Sequence, residues 1–103
     1  MFDLTQEEWE IQKTNDANSV ILDVRTEEEY DEGYIPGATN IDIRMGQGFL
    51  DAIQGLDVSK SYYVYCRSGA RSLQACQLMS QLGFEKVYNL EGGILDWEGD
   101  ITT

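Results

Sequence analysis

The spacing of apolar and polar residues changes period several times along the chain, and each change marks an element. Val20 to Val24 is a β-branched, almost unbroken apolar run, the pattern of a strand buried on both faces. Tyr62 to Tyr65 reads the same way, and Thr39 to Ile43, Glu85 to Asn89 and Phe2 to Leu4 predict shorter strands. Between them lie helical signals. Thr5 and Glu8 form a capping box for a helix to about Thr14, with Leu4 and Trp9 at the staple positions. Thr26 and Glu29 repeat the box over a short helix ending near Gly33. A third helix spans about Phe49 to Leu56. In a fourth, from Leu73 to Leu82, residues Ala75, Leu78, Met79 and Leu82 predict a core stripe, closed by Gly83. Pro36-Gly37 marks a turn, and Gly92-Gly93 turns into a short helix carrying Trp97. The tail after Gly99 is expected to fray.

Strands alternating with helices predict an α/β fold with a mostly parallel sheet of about five strands, in one domain over residues 1–103. Such sheets bind ligands outside the carboxyl ends of their strands. Cys66 stands at one of these ends, between the run Tyr62–Tyr65 and the fourth helix.

The loop there reads Cys66-Arg67-Ser68-Gly69-Ala70-Arg71-Ser72. Backbone N–H groups of a tight loop converge on its centre, and Gly69 permits the positive φ that such a loop requires. The following helix directs its positive end to the same point. A nest of this kind holds an anion, either a thiolate or a group attached to it. Lowering a cysteine pKa by two units takes about 2.7 kcal/mol, and a helix terminus contributes only about 0.3–1 kcal/mol. The loop amides and Arg71 are therefore expected to act together with the helix.

Composition narrows the chemistry. The chain has no histidine, which excludes His-dependent cysteine hydrolases and His-containing metal sites; no metal and no cofactor are expected. Its two cysteines make no disulfide framework. Cys76, well inside the fourth helix, reads as a packed core thiol, and Tyr62, Tyr63 and Tyr65 as packing residues. The net charge of −12 repels nucleic acid. No apolar run is long enough to span a membrane, and the start carries no secretory pattern, so a cytoplasmic location is expected. Gly46-Gln47-Gly48 lacks the third glycine of a dinucleotide fingerprint.

The four arginines, Arg25, Arg44, Arg67 and Arg71, each follow the end of a predicted strand. A parallel sheet gathers them at one edge, while Lys60 and Lys86, which precede strands, go to the other. Arg25, two residues after Asp23, reads as a structural salt bridge, and Asp23 as an acceptor of N–H bonds beneath the site. Arg71 is the foremost anion ligand. Arg67 stands between an outward and a pocket-mouth placement, and Arg44 between pocket and surface.

The loop Cys66 to Ser72 resembles the active-site loop of rhodanese-like sulfurtransferases. So do Leu22-Asp23-Val24-Arg25, then Gly33-Tyr34-Ile35-Pro36-Gly37-Ala38-Thr39-Asn40-Ile41, and Leu90-Glu91-Gly92-Gly93-Ile94-Leu95-Asp96-Trp97. Tyr34 departs from the family's usual histidine. The resemblance implies a three-layer αβα fold and a catalytic Cys66 whose thiolate takes the sulfane sulfur of a small anionic donor such as thiosulfate. Arg67, Ser68, Gly69, Ala70 and Arg71 would bind the donor and cradle the transferred sulfur. Cyanide, a thiol or a protein would then accept it. A non-enzymatic binding or sulfur-carrier module is the alternative. A cysteine phosphatase or arsenate reductase fits less well, because those loops run Cys-x5-Arg and here the arginine comes one residue early.

Overall fold

A computed structural model describes residues 2–103. The chain runs β1 (Phe2–Leu4), α1 (Gln6–Thr14), β2 (Ser19–Asp23), α2 (Glu27–Glu32), β3 (Thr39–Asn40), α3 (Gln47–Gln54), β4 (Ser61–Tyr65), α4 (Ala70–Gln81) and β5 (Val87–Leu90), with 3-10 turns at Ile43–Met45 and Ile94–Asp96. The sheet order is β1-β5-β4-β2-β3 and every pair is parallel. The expected α/β architecture with a parallel five-stranded sheet is present.

The central strand β4 is buried throughout, and its side chains alternate between two cores as a period of two requires. Tyr62, Val64 and Cys66 face α3 and α4, where they meet Phe49, Ile53 and Met79. Tyr63 and Tyr65 face the other side, against Trp9 of α1 and Leu90. Trp9 is fully buried and makes edge contacts with Tyr63, Tyr65 and Trp97 at centroid distances of 5.9, 6.3 and 5.6 Å. Contacts of this kind stabilise by about 0.5–1.5 kcal/mol each beyond the area they bury. Both capping boxes are formed, by Thr5 with Glu8 and by Thr26 with Glu29.

Several features differ from expectation, among them the start of α4, which lies at Ala70 and not Leu73. The third strand is confined to Thr39–Asn40. Ile41 and Ile43 still donate to the carbonyls of Asp23 and Val24, but Asp42 accepts the Arg44 N–H and winds the chain into a 3-10 turn. Helix α3 starts two residues early, on Gly46 at φ +58°. The buried stripe of α4 is Ser72, Ala75, Cys76 and Met79, not the expected set: Leu78 is half-buried and Leu82 is 39% exposed. Gly83, at φ +99°, lets the Phe84 N–H reach the Met79 carbonyl, and the buried Phe84 ring packs in the α4 core in place of Leu82. Finally, the tail does not fray. Tyr34 and Thr102 exchange two N–H to carbonyl bonds of 2.9 Å, and Ile101 lies against Gly33.

Among the described residues no helix is long and apolar enough to cross a membrane.

Candidate active site around Cys66

The loop after β4 is held from three directions. The carbonyls of Cys66 and Arg67 accept N–H bonds of 2.9 Å from Ile94 and Leu95. Gly93 presses so closely on this segment that a Cβ there would collide with the Arg67 carbonyl and come within 2.7 Å of the Cys66 carbonyl oxygen. Gly69, at φ +103°, sits against the end of β5, and its carbonyl accepts from Leu73 N–H at 3.0 Å and from Asn89 Nδ2 at 3.3 Å. The loop is thus clamped between β4, β5 and the turn at Ile94.

That clamp aims donors at sulfur. The Gly69 N–H lies 3.1 Å from Cys66 Sγ and the Ser72 hydroxyl 3.3 Å from it. Burial, with Cys66 only 1% exposed, pushes the thiol pKa up. The hydroxyl and N–H of Ser72, with the N–H groups of Gly69 and Ser68, outweigh it, and the thiol lies below its ordinary value. Among the described residues no guanidinium hydrogen-bonds to the sulfur. Ala70 opens α4 and is exposed.

Arg71, expected as the foremost anion ligand, stands in the first turn of α4 with its guanidinium already engaged. Its guanidinium makes a bidentate pair with Glu29 of α2, at 2.7 and 3.0 Å. The same carboxylate accepts from the Thr26 N–H and hydroxyl, so it joins α2 to α4. Hydrogen bonds from Arg71, against some desolvation, hold Glu29 at about 2. Asp23 and Arg25 form a buried pair beneath the site: Arg25 donates its N–H at 2.9 Å and its Nη2 at 2.6 Å to the carboxylate, and Nη2 also reaches the Gly33 carbonyl.

The gathering of arginines at one edge is realised. Arg44, Arg67 and Arg71 line one cavity of about 810 Å³, with Ser68 on its wall. Neither Arg44 nor Arg67 forms an ion pair among the described residues. A smaller hollow of about 300 Å³ adjoins it across Arg67 and Glu29. Cys76 is fully buried, and burial pushes its thiol up to about 12. Asn15, Asp16 and Lys86 border a separate hollow, before β2 and β5 rather than after β4.

Two contributors are not legible in the sequence. Ser72 reads as a small helix residue, and only its position one turn after Gly69 reveals the contact with sulfur. Glu29 is fully accounted for in the sequence by its capping box.

Residues 6–100 match the family model of the rhodanese-like domain. The putative sulfurtransferase YtwF of Bacillus subtilis (strain 168) is 42% identical over 85 residues, covering 82% of this chain and 79% of that protein. A sulfurtransferase of Allochromatium vinosum is 39% identical over 92 residues, covering 84% and 78%. A crystal structure of a rhodanese-like domain protein from Staphylococcus aureus superposes with a TM-score of 0.81 at 29% identity, over 100% of both chains.

Proposed function

Since the chain belongs to the rhodanese-like domain family, we propose that it is a sulfurtransferase that carries sulfur as a persulfide on Cys66. The observation that supports this reading is the sulfur itself: a thiol with a lowered pKa, facing an amide and a hydroxyl at the carboxyl edge of a parallel sheet. Cys66 thiolate attacks the outer sulfur of the donor. A Cys66–sulfur bond forms as the donor's own bond to that sulfur breaks, and both electrons of that bond leave with the remainder of the donor, as sulfite from thiosulfate. The new terminal sulfur carries the negative charge. The N–H groups of Ser68 and Gly69 are placed to meet it, as an oxyanion hole meets developing charge. Arg67 and Arg44, free of carboxylate partners, attract the anionic donor; Arg71 holds the loop to α2. A nucleophilic acceptor, cyanide or a thiol, then takes the outer sulfur and returns Cys66 as thiolate. No proton transfer by a histidine is needed, which suits a chain without one.

Intact mass after incubation with thiosulfate, and again after cyanide, tests the cycle. A gain of one sulfur atom on the Cys66 peptide, reversed by the acceptor and absent in Cys66→Ser, is expected. No gain in the folded, reduced protein with any sulfane donor, or an equal gain in Cys66→Ser, would overturn it.

A further inference from the structure

Three donors converge on the Gly69 carbonyl. The Leu73 N–H lies 3.0 Å from its oxygen, the Ser72 hydroxyl 3.2 Å and Asn89 Nδ2 3.3 Å. A carbonyl oxygen has two lone pairs, so one donor is surplus. Leu73 is fixed by the hydrogen-bond ladder of α4. Asn89 is fixed as well: it stands on β5 beside Val64 of β4, is 2% exposed, and its Nδ2 also donates to Asp3 Oδ1 of β1 at 2.8 Å. An amide nitrogen carries two protons, so Asn89 serves both acceptors at once. Ser72 has one proton and a second acceptor in reach, Cys66 Sγ at 3.3 Å. Packing does not account for an amide at position 89. Val64 and Val87 on the same face belong to the apolar core, and Asn89 Oδ1 is buried with no partner among the described residues. An apolar side chain there would leave no orphaned acceptor.

Resting on the reading of Cys66 as the sulfur-carrying thiol, we propose that Asn89 is a positioning residue: it fills the second lone pair of the Gly69 carbonyl and so leaves the Ser72 hydroxyl free to serve Cys66. Without Asn89, carbonyl and sulfur compete for the one Ser72 proton. The demand for that proton changes through the cycle. As thiolate, Sγ carries the full charge and takes the bond. Once Cys66 has bonded to the transferred sulfur, the charge sits on the outer atom and the bond to Sγ weakens. When an acceptor removes the outer sulfur, the S–S bond breaks, its electron pair returns to Sγ, and the spare hydroxyl meets the charge there. The ionisable groups around the sulfur do not supply this donor. From α4, Arg71 is engaged by Glu29, and burial pushes the Cys76 thiol up to about 12. Asp3 of β1 reaches the loop through Asn89, Arg67 is exposed, and Asp96 of the Ile94 turn is exposed against Gly92. The Asp23–Arg25 pair lies by Tyr65, which faces the other side of the sheet.

The test is the pH profile of Cys66 alkylation by iodoacetamide in the wild type, Asn89→Leu, Ser72→Ala and the double variant. Asn89→Leu is expected to raise the midpoint by about half a unit, so that alkylation well below it is about threefold slower, with the plateau at high pH unchanged. The shift is smaller than loss of the whole Ser72 bond, because the hydroxyl then divides its time between two acceptors. In the Ser72→Ala background the same substitution leaves the midpoint where it is, because no hydroxyl remains to be positioned. A purely structural role for Asn89 would move the midpoint equally in both backgrounds. Where Asn89→Leu does not fold, Asn89→Ala removes the same donor without adding volume and is read the same way. An unchanged midpoint in the single variant, or an equal shift with and without the Ser72 hydroxyl, overturns the inference. Alkylation needs no sulfur donor. Absence of persulfide in the wild type therefore overturns the sulfurtransferase reading separately from this outcome.

Discussion

Removing the Ser72 hydroxyl is expected to raise the Cys66 pKa. The Ser72 oxygen lies 3.3 Å from Cys66 Sγ and 3.2 Å from the Gly69 carbonyl, and the residue is fully buried. A hydroxyl has one proton to donate. It can turn to the carbonyl when sulfur is protonated and to sulfur when it is charged. A hydrogen bond to a charged group contributes about 1.5–3 kcal/mol and a neutral one about 0.5–1.5. The difference favours the thiolate by about 1–1.5 kcal/mol, or about one pKa unit. Ser72→Ala should therefore move the pKa up by about that much while leaving α4 intact, since Ala is the best helix former and the Gly69 carbonyl keeps its bonds from Leu73 and Asn89. The assay is the rate of Cys66 alkylation by iodoacetamide against pH. Well below both midpoints the variant should react about tenfold more slowly. A second readout is linkage. A depressed folded pKa contributes stability that is present above the unfolded cysteine value of about 8.5 and lost as pH falls through the folded value. The variant should show less of this gain. An unchanged or lowered midpoint in a variant with native circular dichroism would refute the assignment of Ser72 as a thiolate donor.

Glu29→Gln should lower stability by about 1 kcal/mol at neutral pH, because it removes the charge from a half-buried bidentate pair. Because Glu29 is held at about 2 in the fold, its contribution is present above the ordinary carboxylate range and lost as pH falls toward 2; chemical denaturation across that window should be less steep in pH for the variant. Gly93→Ala, at φ +63° and against the Arg67 carbonyl, should destabilise by about 3 kcal/mol or more and disturb the thiol loop, measured by thermal melting and by loss of rapid Cys66 alkylation. Cys76, buried and held at about 12, should stay unmodified by a thiol reagent at neutral pH until the protein is unfolded, whereas Cys66 reacts in the native state.

Much of this molecule is local and was legible in the residues. The apolar runs of β2 and β4, the two capping boxes and Gly69 act within a few residues of themselves, so their elements could be read directly. The α/β alternation and the parallel direction of the strands then place four arginines and Cys66 toward one edge. Boundaries set by competition were not legible. The Asp42 cap shortens β3, and the Gly83 turn brings Phe84 into the core and leaves Leu82 outside. The tail after Gly99 carries no strong local signal; Tyr34, far away in the chain, exchanges two backbone bonds with Thr102, and Trp97 Nε1 donates to the Asp100 carbonyl.

The site divides in the same way. The sequence by itself determined the thiol at the strand end, the loop that carries it and the arginines that gather near it, because a strand-to-helix turn with a glycine at its centre is a local object. Tertiary structure decided which charges remain available. Glu29 takes Arg71 across a separation of 42 residues, whereas Arg67 and Arg44 line the same cavity with no ion pair among the described residues. Spacing along the chain cannot express that choice, because an ion pair forms between whichever groups the packing of α2 against α4 brings within reach.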